Sequence, residues 1–347
     1  MVKVLLTGGS GFIAAHILEI LLERGYDVVT TVRSEEKGQH ILEAHPNVPK
    51  EKLSYVVIED IGKDGVFDEV VKSDPPFDYV IHTASPFHYR FTDPVKEVLD
   101  PAIKGTTGIL KAIQAFAPTV KRVVITSSFA AMARTDTLVK VYDESVWANV
   151  AWEESVGDNK GATYRGSKAS LPLARRPPVT LAEKAAWDYV EKEKPSFDLT
   201  VINPPAVFGP IVHHISSLSD INTSNANILE AIQGKYKDGN MPRSIVFLWV
   251  DVRDVALAHV RAIEVAEAGG KRLFIVAGHF SAKRIADAIR ETHPELESKL
   301  PENVIDDLPA DVYQYNNTLG RQLLGIEYRT LKECIGDTVS SLIKLGA

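Results

Sequence analysis

Residues 2–14 read VKVLLTGGSGFIA, and this stretch decides the architecture. Val2 to Leu6 is an apolar run of strand length, and Gly11 to Arg24 has the apolar spacing of an amphipathic helix. Between them Gly8, Gly11 and Ala14 stand three apart, directly after a strand and at the opening of a helix. Missing side chains let the backbone approach a pyrophosphate, and the helix amino terminus offers N–H groups and the positive end of its dipole. A tight turn with no ligand would also need glycines, but the flanking strand and helix favour a dinucleotide-binding turn made by Gly8, Gly11, Phe12 and Ile13.

Outward from that turn the first half alternates short apolar strands with helical segments. Asp27–Val32, Ser54–Ile58, Tyr79–His82, Val123–Thr126 and Leu199–Ile202 read as buried strands, with helices at about 93–116 and 182–193. Their β-branched residues run without alternation, so both faces of the sheet are covered and the fold class is α/β, a doubly wound (Rossmann) parallel sheet. After Asn203 the pattern breaks into Pro-Pro, Gly-Pro and His-His stretches. A strand at Ser244–Val250 and a helix at Val252–Glu267 then return. The expected division is a dinucleotide-binding domain of residues 1–209 and 244–267, with a smaller C-terminal substrate lobe of 210–243 and 268–347. Ligands of open α/β sheets bind outside the carboxyl ends of the strands, so the cleft is expected between the two parts.

The 347 residues suffice for one large or two modest domains, and 45% hydrophobic with 24% charged residues is the balance of a folded globular chain. A net charge of −7 gives no footprint for nucleic acid or an anionic membrane, so the expected partner is a small molecule. Cys334 is the sole cysteine, which excludes an intrachain disulfide and suits a reducing compartment; a cytoplasmic location is expected. The apolar run after Lys3 is too short for a signal peptide, and no stretch reaches the ~20 apolar residues of a membrane span. His-Glu-x-x-His spacing is absent, His213-His214 reads as surface loop, and no metal is expected.

At the end of the second strand, Thr30-Thr31-Val32-Arg33 lacks the acid that would hold a ribose 2′-hydroxyl. Arg33, with Lys37 one turn on, can instead pair with a 2′-phosphate, which favours NADPH over NADH. Asp60 and Ile61, after the third strand, are candidates for the adenine pocket. Tyr164 and Lys168 stand at i and i+4, so on a helix they share a face, where a fixed cation favours the phenolate and makes tyrosine a usable acid. Ser128, preferred to Ser127, ends the Val124–Ala130 stretch and is read as the hydroxyl that stabilises a developing alkoxide, with helix capping as the plainer alternative.

These stretches, with VRSEEK at 32–37, IHTASPF at 81–87, RVVITSSFAA at 122–131, YRGSK at 164–168, AEKAAWDYV at 182–190, NPPAVFGP at 203–210 and VDVRDVALAHV at 250–260, resemble the extended short-chain dehydrogenase/reductases over nearly the full length. Within that family the chain is similar to fungal NADPH-dependent aldehyde and ketone reductases of the methylglyoxal/3-methylbutanal type, and it shares much with plant dihydroflavonol and cinnamoyl-CoA reductases. The resemblance implies that Ser128 positions a carbonyl, Tyr164 protonates its oxygen, and Lys168 holds the nicotinamide ribose. It also implies that Thr83, Ala84 and Ser85 line the cofactor, that Pro204 and Val207 press on the nicotinamide, and that Phe87 and Phe129 wall the substrate pocket. His82 is expected to orient the sheet end, and Asp251 and Asp254 to join helix and lobe.

One departure from the family is the proline-rich stretch 169–181, inserted between the Tyr/Lys segment and AEKAAW. Three prolines within seven residues cannot continue a helix. The expected outcome is a looped-out insertion with the dyad preserved. The reading is an NADPH-dependent carbonyl reductase, a monomer or homodimer, acting on an aldehyde or ketone. The alternatives are a dihydroflavonol/cinnamoyl-type reductase, an NAD-retaining nucleotide-sugar epimerase, and a non-catalytic NADPH-binding sensor.

Overall fold

The computed structural model describes residues 2–85, 92–133, 139–148, 155–156, 160–168, 182–244 and 246–347. Seven strands form one parallel sheet: β1 (Lys3–Thr7), β2 (Asp27–Val32), β3 (Leu53–Val57), β4 (Tyr79–His82), β5 (Arg122–Thr126), β7 (Asp198–Asn203) and β10 (Arg272–Phe274). Their spatial order is β10-β7-β5-β4-β1-β2-β3. The chain therefore reverses direction across the sheet between β1 and β4, and the crevice of a doubly wound fold opens there.

Neighbouring residues of one strand enter different cores, which is why these strands read as unbroken apolar runs. Val4 and Leu6 join one core while Leu5 joins another, and Ile81 and Val80 divide in the same way. On the first face α1 (Phe12–Glu23) packs against α7 (Val252–Glu264), and on the second α3 (Asp100–Phe116) packs against α5 (Ala182–Glu193). Arg122 fastens β5 at its start. It pairs with Asp198 of β7 through Nε at 2.5 Å and donates to the carbonyls of Ala262, Val265 and Ala266 at the end of α7.

A separate core lies among α6 (Thr223–Ile232), α8 (Ala282–Thr292) and α10 (Leu331–Lys344), which enclose Phe208, Trp249 and Phe280, whereas α9 (Thr318–Leu324) sends Leu324 into the core of α1 and α7. The three-stranded sheet β8 (Ala206–Phe208), β9 (Leu248–Asp251) and β11 (Gly278–His279) lies in the order β11-β9-β8, and β6 (Val141–Tyr142) pairs in parallel with β12 (Gln314–Tyr315). Asp251 and Asp254 join the parts. Asp251 caps α7 by accepting from the Arg253 N–H at 2.8 Å, Arg253 reaches Asp337 of α10 at 2.6 Å, and Asp254 holds the backbone N–H of Arg329 at 2.9 Å.

Several expected boundaries move. Residue 268 is not where the smaller lobe resumes, because Arg272–Phe274 pairs with β7 as the edge strand of the main sheet. The strand expected at Ser244–Val250 shortens to β9 and belongs to the small sheet rather than the large one. The helix expected to reach Glu267 stops at Glu264, where Val265 is extended, and Ala266–Ala268 forms a separate 3-10 turn. The helix expected from 93 begins as a wider π-helical turn, Val95–Leu99, before α3, whose first turn contains Pro101 with no N–H to donate.

His259 on α7 is fully enclosed beneath β5. Its Nδ1 sits 2.8 Å from the Val255 carbonyl and so carries the proton, which leaves Nε2 to accept from the Thr126 hydroxyl at 2.7 Å. Burial pulls its pKa down to about 4. Between about pH 6.5 and 4 the unfolded chain binds a proton there that the folded chain refuses, so stability falls as pH is lowered through that window. At pH 5 this group alone disfavours the fold by about 2 kcal/mol relative to pH 7. Urea unfolding of His259→Gln is expected to give a shallower loss of stability between pH 7 and 5 than the parent; parallel slopes would exclude His259 as a source.

Candidate active site

The crevice begins at the glycine turn. Gly8 has φ +77°, and a Cβ there would lie 3.1 Å from the Ala84 backbone; at Gly9 it would lie 2.0 Å from the Thr30 hydroxyl. Both positions need glycine, one for conformation and one for space. Thr31 anchors the turn from β2, its hydroxyl accepting from the Gly8 N–H at 3.1 Å and its carbonyl from the Gly9 N–H at 3.0 Å. The Gly11 N–H closes the turn onto the Gly8 carbonyl at 2.9 Å, and Phe12 and Ile13 start α1.

Arg33 is exposed at the end of β2, and Lys37 is exposed in the first turn of α2 (Glu35–Ala44). Ser34 caps that helix. Two cations thus stand free beside a helix amino terminus, an arrangement suited to a phosphate. Asp60 is exposed, with one carboxylate oxygen on the Gly62 N–H at 2.8 Å, and Ile61 is half-buried against Gly105 of α3.

Thr83, Ala84 and Ser85 follow β4 and are half-buried along the crevice. Thr7, absent from the sequence reading as a site residue, ties this segment to β1. Its hydroxyl accepts from the Ala84 N–H at 3.2 Å and meets His82 Nδ1 at 2.8 Å, while its carbonyl accepts from the Thr83 hydroxyl at 2.6 Å. His82 is 2% exposed and its pKa falls to about 3, through burial first and the Lys168 charge second, so it stays uncharged.

Tyr164 and Lys168 lie on α4 (Lys160–Lys168), with α5 beginning at Ala182; the insertion 169–181 lies outside the described residues. The Tyr164 hydroxyl donates to Ser128 Oγ at 3.2 Å, and Lys168 Nζ donates to Ser85 Oγ at 2.9 Å. Lys168 is 7% exposed, and burial lowers its pKa to about 8 against an opposing pull from Glu183. The two serines separate. Ser128 faces Tyr164 and also accepts from the Ala130 N–H at 3.1 Å, so it caps the Phe129–Ala131 turn as well, whereas Ser127 points its hydroxyl at Glu183, 2.6 Å away.

Phe129 departs from expectation. At 3% exposure it stacks on Phe274 and meets Tyr142 edge-on, a core ring with almost no surface left for a substrate. Phe87 lies outside the described residues. Pro204 is buried and accepts from the Phe129 N–H at 2.8 Å, and Val207, 8% exposed, belongs to the core shared by α1 and α7. His213 is half-buried, 6.1 Å from the Phe12 ring, whereas His214 is exposed as expected, its ring tilted against that of His40 at 3.7 Å. Among the described residues no group of three or more His, Cys, Asp or Glu side chains gathers to hold a metal ion.

Known proteins resemble the chain along its whole length. A ketoreductase of Aspergillus niger is 51% identical over 343 residues, covering 99% of this chain and 98% of the relative. An NADPH-dependent methylglyoxal reductase of Saccharomyces cerevisiae is 35% identical over 356 residues, covering 99% and 98%. The crystal structure of Gre2 in complex with NADPH from Candida albicans superposes with a TM-score of 0.90 at 35% identity, over 100% of both chains. The profile of the NAD dependent epimerase/dehydratase family matches residues 4–146. With the glycine turn, the strand order and the Ser128–Tyr164 contact in place, the chain belongs to this epimerase/dehydratase family of extended short-chain dehydrogenase/reductases, among the fungal ketoreductases and methylglyoxal reductases.

Proposed function

We propose that the chain is an NADPH-dependent carbonyl reductase converting a small aldehyde or ketone to its alcohol. The observation that carries this reading is the meeting of Tyr164, Ser128 and Lys168 at the carboxyl ends of β4 and β5, beside the glycine turn. The turn fits a pyrophosphate because it opens directly onto the amino terminus of α1, whose first N–H groups have no intrahelical acceptor and no side-chain cap at Gly11, and the exposed Arg33 and Lys37 fit a 2′-phosphate. When bound, NADPH supplies the hydride.

The chain's own residues then manage the oxygen. Ser128 Oγ already accepts from Tyr164 and from the Ala130 N–H, so its own proton is left to donate to the carbonyl oxygen. Tyr164 delivers its phenolic proton to that oxygen as negative charge develops. The Lys168 ammonium, one turn along the same helix face, lowers the cost of the phenolate left behind. The sign of the pH dependence follows. Lys168 holds its proton below about pH 8, and reduction is expected to weaken as pH rises through that value.

Relatives named as ketone and methylglyoxal reductases support a small carbonyl substrate, and Arg33, in place of a ribose-binding acid, weighs against an NAD-retaining epimerase. Lys168, enclosed and bonded to Ser85, weighs against a binding protein without catalysis. Among the described residues no helix is long and apolar enough to cross a membrane. We place the enzyme in the cytoplasm, as a monomer or homodimer.

Absorbance at 340 nm with a panel of aldehydes, ketones and dicarbonyls tests the activity directly. Tyr164→Phe is expected to lower kcat by roughly 10²–10⁴-fold while leaving NADPH affinity within about twofold; undiminished turnover would refute the proton-donor role. Arg33→Ala is expected to raise the KM for NADPH by about 10–100-fold and leave that for NADH nearly unchanged. An equal rise for both coenzymes would contradict the assignment of Arg33 to the 2′-phosphate.

A further inference from the structure

We propose that Glu183 is a positioning residue of the reductase, a buried carboxylate that fixes the strand end bearing Ser128. The inference rests on the roles of Ser128 and Lys168 proposed above.

Glu183 is 1% exposed in the first turn of α5, immediately beyond the proline-rich insertion. Three side chains from three strands or strand ends converge on it. Ser127 donates to Oε2 at 2.6 Å, Asn203 at the end of β7 donates to Oε2 at 2.8 Å, and Arg272 at the start of β10 donates from Nε to Oε1 at 2.5 Å. Asn203 Nδ2 also reaches the Ser128 carbonyl at 3.3 Å. The carboxylate is therefore one hydrogen-bonded link from the backbone of Ser128, and through Ser127 it holds the adjoining residue as well.

Arg272 also donates from Nη2 to Oε2 at 3.4 Å, its remaining contacts going to the carbonyls of Glu144, Val146 and Ala131, and its guanidinium lies 3.8 Å from the Trp147 ring. A buried ion pair is often no more stabilising than apolar residues of similar volume, so stability alone gives little reason for a charge at this place. The site gives a better one. Of the groups on elements around Lys168, His82 from β4 is uncharged, Lys96 and Asp100 are exposed, and Glu97 is engaged by the backbone N–H groups of Thr92 and Asp93. Tyr164 and Arg165 share its own helix, and Lys184 on α5 pairs with Asp188. Glu183 is the anionic side chain whose field opposes the loss of the Lys168 proton. Without it, burial would drive that proton off at a lower pH.

The test is kcat and the KM for the carbonyl of Glu183→Gln beside the parent, with thermal unfolding and NADPH titration on the same preparations. At neutral pH kcat is expected to fall about tenfold, with the KM for the carbonyl and NADPH affinity within about twofold. A folded variant whose kcat stays within about twofold of the parent, or whose KM for the carbonyl rises in step with the loss of kcat, overturns the proposal. If Glu183→Gln leaves Arg272 unpaired and the chain does not fold, the double variant Glu183→Gln/Arg272→Met, which buries no lone charge, is read by the same two criteria. A parent enzyme that oxidises NADPH with no carbonyl would instead strike at the proposed function, so the two failures are distinguishable.

Discussion

The burial of the Lys168 ammonium is the constraint on which the site depends. Moving an ammonium out of water costs several kcal/mol unless partners replace the hydration it loses. Here the replacement comes from separate parts of the chain: the Ser85 hydroxyl after β4 at 2.9 Å and the field of Glu183 from α5. Neither is near Lys168 in sequence. The side chain is accommodated only when β4, α4 and α5 are all docked at the same end of the sheet, so the charge we propose to assist Tyr164 is held in place only in the assembled fold.

The cofactor side of the crevice is assembled by similar cross-linking, with neutral groups. Thr31 holds the glycine turn from β2, and Thr7 holds the Thr83–Ser85 segment from β1. Each threonine sits at or near the carboxyl end of a parallel strand, where the next backbone groups leave the ladder and need partners. Their hydroxyls satisfy those groups and join the two loops that meet at the reversal point of the sheet. The same threonine, Thr7, engages His82, which remains uncharged beside Lys168 and adds no competing cation to the site.

Most of this architecture was legible because its signals are local. The glycine spacing, the doubly apolar strands and the i, i+4 tyrosine and lysine each depend on residues close in sequence. What escaped depends on distance. Arg272–Phe274 is too short a strand to announce itself by periodicity, and it is recognisable only through its pairing with β7. Phe129 follows Ser128 and so resembles a pocket wall, but its position is decided by Phe274 and Tyr142, which come from elsewhere in the chain. Glu183, in AEKAAW, reads as an ordinary solvated acid at a helix start. Only the convergence of Ser127, Asn203 and Arg272 gives it a buried role.

The paired serines show how one strand serves both scaffold and chemistry. Ser127 continues the ladder, its N–H donating to the Ile202 carbonyl at 2.8 Å, and Ser128 is still extended at φ −162° and ψ 154°. Successive residues of an extended chain project to opposite sides. One hydroxyl therefore faces the interior and binds Glu183, while the next faces the crevice and binds Tyr164. Because the two share a peptide bond, the interior contact restrains the catalytic one: a shift of Ser127 relative to Glu183 would carry Ser128 away from the tyrosine. The anchoring of α5 behind the sheet and the alignment of the proton donor in front of it thus become a single mechanical requirement, met within two residues.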